Sequence, residues 1–331
     1  WDWCLPIKVG VGCDTKIVAD LTGKPVWSTV GIITDPSYPY QVSPENVRES
    51  YSQVFRNGGK GLMVAAVEWF DRELLHFGYS NPASWDAALQ AVDVAVNMNQ
   101  VMLPAADCAI LYPSDTLLTQ DWGQYNIGGR MEIRSAYTML GPLCGSWFKF
   151  ISDRQIDRGT VNLSDYKVIY IPYAEYLRTS VVNAIDTYVQ NGGNIIVTDI
   201  DAFSWNINGT ALTSTWETIS GVRRGSARTT NLGVTTVANA WWTNPSTSWT
   251  VRKPCYNMTI LDTPNVSKLA KFTSDNSAAM TIHNRGLGHV ICFASDPFGL
   301  QDWQAPFFTA TSSTLLPVFQ AYQNAVTAVM N

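Results

Sequence analysis

The chain has 331 residues, with 22 Lys and Arg against 27 Asp and Glu for a net charge of −5 and a pI near 5.2. That balance excludes a nucleic-acid partner, which needs a clustered surplus of Lys and Arg facing phosphate. The length suggests about two domains, 46% hydrophobic content excludes disorder, and the absence of any run of about 18 apolar residues leaves no membrane span.

The first readable element is an apolar run over residues 25–33, expected as a buried strand. Ser43 and Pro44 then supply a helix N-cap and a first helical residue. Val47, Tyr51, Val54 and Phe55 share one face of that helix, and Asn57-Gly58-Gly59 stops it. Residues 61–67 form a second apolar strand that ends at Glu68-Trp69-Phe70-Asp71. Ser84 caps a further helix whose inward face is expected to be Trp85, Ala88, Leu89, Val92 and Val96. Strand, helix, strand, helix at this spacing implies parallel pairing, although four elements do not close an eight-stranded barrel.

Leu103-Pro104-Ala105 reads as a boundary, placing domains at 1–104 and 105–331. A new α/β series opens at Cys108–Tyr112 and continues with a helix near 130–143 and strands at 148–151 and 168–171. A helix with Val181, Val182, Ile185, Tyr188 and Val189 inward follows, then Asn191-Gly192-Gly193 and a strand over 194–198. From about 221 to 295 the pattern becomes short strands, with Gly286-Leu287-Gly288 as a hairpin turn, and residues 312–330 are expected to close the chain as a helix.

Six cysteines (Cys4, Cys13, Cys108, Cys144, Cys255, Cys292) and three histidines (His76, His283, His289) show no CxxC pair or ligand spacing, so no zinc site, other metal or cofactor is expected. Cys108 and Cys292 sit in apolar runs and are expected to be buried thiols. Cys4 and Cys13 could close a short loop. The chain begins Trp1-Asp2-Trp3 without Met, as expected of a processed secreted protein or a piece of a longer one. Charged residues are 15% of the chain, against a usual ~25%, and 13 are Trp, a composition that fits an extracellular, carbohydrate-facing protein. Sequons at Asn162, Asn208, Asn257 and Asn265 are candidate glycosylation sites, although composition alone gives about as many.

Residues 24–100 resemble the last two βα units of the catalytic (β/α)8 barrel of glycoside hydrolase family 42 β-galactosidases. The resemblance rests on Gly23-Lys24-Pro25-Val26-Trp27, on Ser43-Pro44 through Gly58-Gly59-Lys60-Gly61, and on Val67-Glu68-Trp69-Phe70. Residues 106–295 resemble the domain that follows, a flavodoxin-like, class I amidotransferase-like trimerisation domain with a β-rich C-terminal part. Its marks here are 108–112, Leu163-Ser164-Asp165-Tyr166-Lys167 through Pro172, and 188–197. The resemblance implies a retaining glycosidase whose nucleophile ends the seventh strand, five residues after Pro25; that position is Val30. The strand carrying the acid/base glutamate is absent, and double displacement needs two carboxyls ~5 Å apart. Residues 1–331 are therefore expected to be non-catalytic as they stand, with a structural or assembly role. The alternative is an active β-galactosidase-like enzyme whose missing barrel half lies upstream or in another chain.

Three carboxylates remain as weak catalytic candidates. Glu68 and Asp71 lie at the C-terminal strand rim where barrel enzymes work, and Asp35 is a displaced one. Trp27 and Trp69 with Glu68 form either a sugar-stacking platform or ordinary core and rim. Cys144, flanked by Gly141 and Gly145, lacks both the spacing and the strand of a nucleophile elbow. Trp241, Trp242 and Trp249, in a charge-poor stretch, form either a subunit interface, which would make the protein a homo-oligomer, or the core of the β-rich part.

Overall fold

The computed structural model describes residues 10–31, 43–65, 82–97, 103–119, 128–138, 140–141, 145–198, 201–228, 232–241, 248–251 and 255–294. The chain divides into two compact units, Trp1–Ala105 and Ala106–Asn331.

In the first unit, helix α1 (Gly10–Thr22), strand β1 (Val26–Gly31), helix α2 (Pro44–Arg56), strand β2 (Gly59–Ala65) and helix α3 (Pro82–Asn97) alternate. β1 and β2 are parallel, with Trp27 opposite Gly61 and Thr29 opposite Met63. α2 starts as its sequence dictates. Ser43 stays extended and its hydroxyl accepts from the Asn46 N–H at 3.3 Å, Pro44 opens the helix, and the chain turns out at Asn57 and Gly58. Val47, Tyr51 and Val54 meet Val30, Ala87 and Ala88 in one cluster, with Phe55, Leu62 and Ala91 at its margin.

Two expectations for this unit need correction. Among the described residues the strands are covered on one face only: Val26 and Val30 point into the helices, whereas Trp27 is 69% and Met63 55% exposed. α3 begins at Pro82, with Ser84 buried inside it rather than capping it. Its covered residues are Ala87 and Ala88, while Leu89, Val92 and Val96 are exposed. Hydrophobic periodicity records which residues a helix has available to bury, and among the described residues a two-stranded sheet and α2 cover only a narrow strip of α3.

The second unit is built on an eleven-stranded sheet. Strands β3 (Cys108–Tyr112), β4 (Phe148–Ser152), β5 (Val168–Ile171), β6 (Asn194–Val197) and β13 (Gly288–Phe293) run parallel in the order β4-β3-β5-β6-β13, so the second strand lies outside the first and the rest follow on its other side. β5 and β6 are buried at every position, the mark of a parallel sheet covered on both faces. The helices are α4 (Ser114–Thr119), α5 (Gly128–Thr138), α6 (Asp153–Asp157), α7 (Thr179–Gln190) and α8 (Thr213–Ser220). α7 buries Val181, Val182, Ile185, Tyr188 and Val189, as its pattern requires.

Beyond β13 the sheet turns antiparallel through β12 (Ala278–Arg285), β11 (Val266–Phe272), β8 (Leu232–Thr236) and β9 (Ser248–Val251), while β10 (Cys255–Ile260) pairs β12 and β7 (Val222–Arg228). β12 and β13 are joined through Gly286 and Leu287, with Arg285 opposite Gly288. Cys108 and Cys292 are buried, as their apolar runs imply, and burial pushes the Cys292 thiol up to about 12. Cys13 is buried as well, while Cys4, Cys144, His76 and the helix expected at 312–330 lie outside the described residues.

The β12–β13 hairpin docks on the end of α7 without room for another atom. A Cβ on Gly288 would stand 1.9 Å from the Gly193 carbonyl oxygen and 2.4 Å from that of Val189. Leu287 beside it is 80% exposed. Gly288→Ala should therefore cost about 3 kcal/mol, because backbone and not a flexible side chain must move. Leu287→Ala should stay within about 0.5 kcal/mol. Urea unfolding midpoints of the two variants check the contrast.

Candidate functional site

In an open sheet of this order, ligands bind outside the carboxyl ends of the strands, where the winding reverses. Here that point lies between β3 and β5, between the start of α4 and residues 172–178. It is filled from within. The Asp153 carboxylate, fully buried at the end of β4, accepts from the backbone N–H of Ser114 at 3.0 Å, of Asp115 at 2.8 Å and of Arg154 at 2.7 Å. It thus occupies the N-terminus of α4, where an anion would otherwise sit. Asp115, 4% exposed, takes Arg154 Nη2 at 2.8 Å and Arg178 Nε at 2.8 Å. Thr116 closes the gap: its hydroxyl donates to the Tyr176 carbonyl and accepts from the Tyr176 N–H, both at 2.9 Å.

The two aspartates are shifted in opposite directions. Burial pushes the Asp115 carboxyl up, but the hydrogen bonds and charges of Arg178 and Arg154 outweigh it and hold it below the usual range. At Asp153 burial wins over the backbone donors, and the carboxyl sits above the usual range. Next along the strand ends, burial and the charge of Asp201 raise Glu175, and burial raises Asp201. Arg224 opposes both shifts. It donates to Ser204 Oγ at 3.0 Å and to the Ala202 carbonyl, and lies 5.0 Å over the Trp216 ring.

The residues singled out in the sequence are dispersed. Glu68, Asp71, Asp35, Trp69 and Trp242 lie outside the described residues. Trp27 lies on the bare face of β1–β2, its indole across Gly61: a Cβ there would meet ring atoms Cδ2 and Cε2 at 2.7 and 2.8 Å. Val30 is 5% exposed on the opposite, helix-covered face, so a carboxylate at that position would be buried against α2 instead of facing Trp27. Strand alternation assigns the outward face to Thr29, a distinction that motif spacing does not make.

Trp241 is half-buried and meets His289 edge-on at 4.8 Å, whereas Trp249 is 7% exposed within the sheet. His289 Nδ1 donates to Asn194 Oδ1 at 2.8 Å, and burial holds its pKa below the ordinary value. His283 is buried in β12, where Nδ1 donates to the Ile219 carbonyl at 2.8 Å. Among the described residues no group of three or more His, Cys, Asp and Glu gathers closely enough to hold a metal, and no helix is long and apolar enough to cross a membrane. The cluster of Asp115, Asp153, Arg154 and Arg178 has no forewarning in sequence, since its members come from the starts of three helices, α4, α6 and α7, far apart in the chain. The one readable signal is Ser152 with Gln155, which form a capping box at the start of α6.

No family model matches the chain, and no curated protein matches it either. Solved structures do. A cold-adapted β-galactosidase from Rahnella sp. R3 superposes with a TM-score of 0.72 at 14% identity, over 99% of this chain and 48% of its own. A GH42 β-galactosidase from G. stearothermophilus gives 0.66 at 12% identity, over 89% and 44%. An α-L-fucosidase from Paenibacillus thiaminolyticus gives 0.64 at 14%, over 97% and 47%. The chain resembles GH42 β-galactosidases in fold and spans about half the length of these proteins.

Acid stability tests the aspartate cluster. Asp115, with its folded pKa lowered, contributes stability that is present above the ordinary aspartate range and lost as pH falls through it. Asp153, with its pKa raised, opposes folding at neutral pH and is relieved on protonation. Asp115→Asn should cost about 2 kcal/mol near neutrality, and its stability should fall less than the parent's between about pH 7 and about pH 3. Urea titrations across that range decide it. An unchanged acid slope would show that Asp115 is not the group being titrated.

Proposed function

We propose that the chain is the C-terminal part of a glycoside-hydrolase-like protein acting outside the cell, non-catalytic over these residues and serving as an assembly and carbohydrate-contacting module. In the finer form of this reading, the first unit is the last two βα units of a (β/α)8 barrel and the second an amidotransferase-like domain kept for packing. The observation that carries it is the filled crevice between β3 and β5. Asp153, Asp115 and Thr116 spend on the chain's own backbone and arginines the groups that would otherwise meet a ligand. Val30 on the helix-covered face of β1 adds that the position matched to the nucleophile points away from the open side.

Trp27 supports the carbohydrate contact. An exposed indole held flat over a glycine offers the broad apolar face on which a pyranose ring packs. One observation favours the second reading, an active β-galactosidase-like enzyme completed by a further barrel half: Trp27, Met63, Leu89, Val92 and Val96 of the first unit are exposed large hydrophobics. For assembly the contact we assign is Trp241, half-buried and low in neighbouring charge.

The 331-residue chain alone should not turn over a nitrophenyl galactoside. Turnover that Glu68→Gln abolishes would overthrow the non-catalytic reading. Trp27→Ala should lose retardation on an immobilised β-galactan with its circular dichroism unchanged. Gly61→Ala, which displaces the indole, should weaken the same retardation. Sedimentation should show an oligomer that dissociates in Trp241→Ser, and a lone 36.6 kDa species would remove the assembly role.

A further inference from the structure

We propose that Asn208 carries an N-linked glycan and that its first sugars cover Trp205 and Ile207. The site is a small hairpin outside the large sheet. Trp205 pairs antiparallel with Ala211, and Asn206 N–H donates to the Thr210 carbonyl at 2.7 Å. Gly209 N–H donates to the Asn206 carbonyl at 2.8 Å, and Gly209 adopts φ +83°, so the tip is a type I turn followed by a left-handed glycine. The Asn206 side chain holds the turn by accepting from the Asn208 N–H at 3.2 Å. Asn208 is thereby fixed at the outermost point of the turn, exposed, with open space around the Cβ position of Gly209.

The sequon chemistry is set up at this tip. Thr210 N–H donates to Asn208 Oδ1 at 3.0 Å, which draws electron density from the amide and acidifies the Nδ2 hydrogens. Nδ2 itself has no partner among the described residues. The other three sequons differ. Asn162 gives its Nδ2 hydrogen to Asp165 Oδ1 at 3.0 Å, and Asn265 gives its own to both oxygens of Asp262 at 3.1 and 3.0 Å. Asn257 is half-buried in β10, so close to β7 that a Cβ on Gly225 would stand 3.1 Å from its own. In the transfer, Asn208 Nδ2 bonds to C1 of a sugar activated as a lipid-linked pyrophosphate. The C1–O bond to that pyrophosphate breaks, and one amide proton leaves to a base of the transferase.

A second observation concerns what surrounds the tip. Trp205 is 40% and Ile207 41% exposed, an apolar patch leading directly into the acceptor residue. A glycan attached one residue from Ile207 and three from Trp205 supplies both a C–H face for the indole and a hydrated outer surface.

The proposal rests on the extracellular reading above; a chain confined to the cytosol of its source would sink that reading, whereas expression through a secretory pathway tests Asn208 by itself. The full chain, directed into the secretory pathway of a eukaryotic cell, should yield glycopeptides with Asn208 the most occupied sequon and Asn257 empty. Thr210→Ala should lose the Asn208 glycan, and Thr210→Ser should keep it. Enzymatic removal of the sugar, leaving aspartate at 208, should increase acrylamide quenching of tryptophan emission, and Trp205→Phe should abolish that increase. A secreted chain with Asn208 bare, or a glycan whose removal leaves quenching unchanged, overturns the proposal.

Discussion

A parallel strand buried on both faces has no side left for a charge, and the second unit is arranged around that constraint. β5 and β6 are covered at all their positions, so its ionisable groups collect at the strand ends. At the carboxyl ends Asp153 answers the free N–H groups of α4, and Asp115 answers two arginines. At the amino ends Asn194 bridges strands instead, giving its amide to the Lys167 carbonyl and accepting from His289, while the Tyr188 hydroxyl donates to the Tyr166 carbonyl. Among the described residues, the same arrangement commits Asp153, Asp115 and Thr116 in the crevice between β3 and β5 to internal partners.

The first unit obeys the opposite condition. Among the described residues its β1–β2 pair is covered on one face only, and the other face carries Trp27 over Gly61 beside Met63. Helix packing and strand pairing both stop short of enclosing α3, whose later valines stay exposed. Exposed apolar residues of this kind are where a sugar, another part of the protein or another chain would pack. The contrast between the filled crevice of the second unit and the exposed Trp27 of the first is the reason to look for carbohydrate contact in the first and for packing in the second.

Parts of this were legible beforehand. The α2 helix announces its cap at Ser43, its buried face and its stop at Asn57-Gly58, and the structure reproduces each. The α7 face, the β5 and β6 runs and the turn at Gly286 are similarly local, because hydrophobic period and turn chemistry act over a few residues. The α3 face departs from its periodicity for the same reason. Periodicity reports which residues could be buried, and only the neighbours decide which of them are.

The amino-acid sequence by itself determined the alternation of strands and helices from β1 onward and the parallel pairing, since these follow from local pattern and its spacing, while helix α1 (Gly10–Thr22) went unread. Tertiary structure alone decided the rest. It turned Val30 toward the helices and Trp27 outward, because strand alternation must be anchored by a partner face. It assembled Asp115, Asp153, Arg154 and Arg178 from the starts of three helices. It also distinguished Asn208 from three other sequons of the same pattern, because hydrogen-bond partners and open space around an amide are properties of the fold and not of the tripeptide.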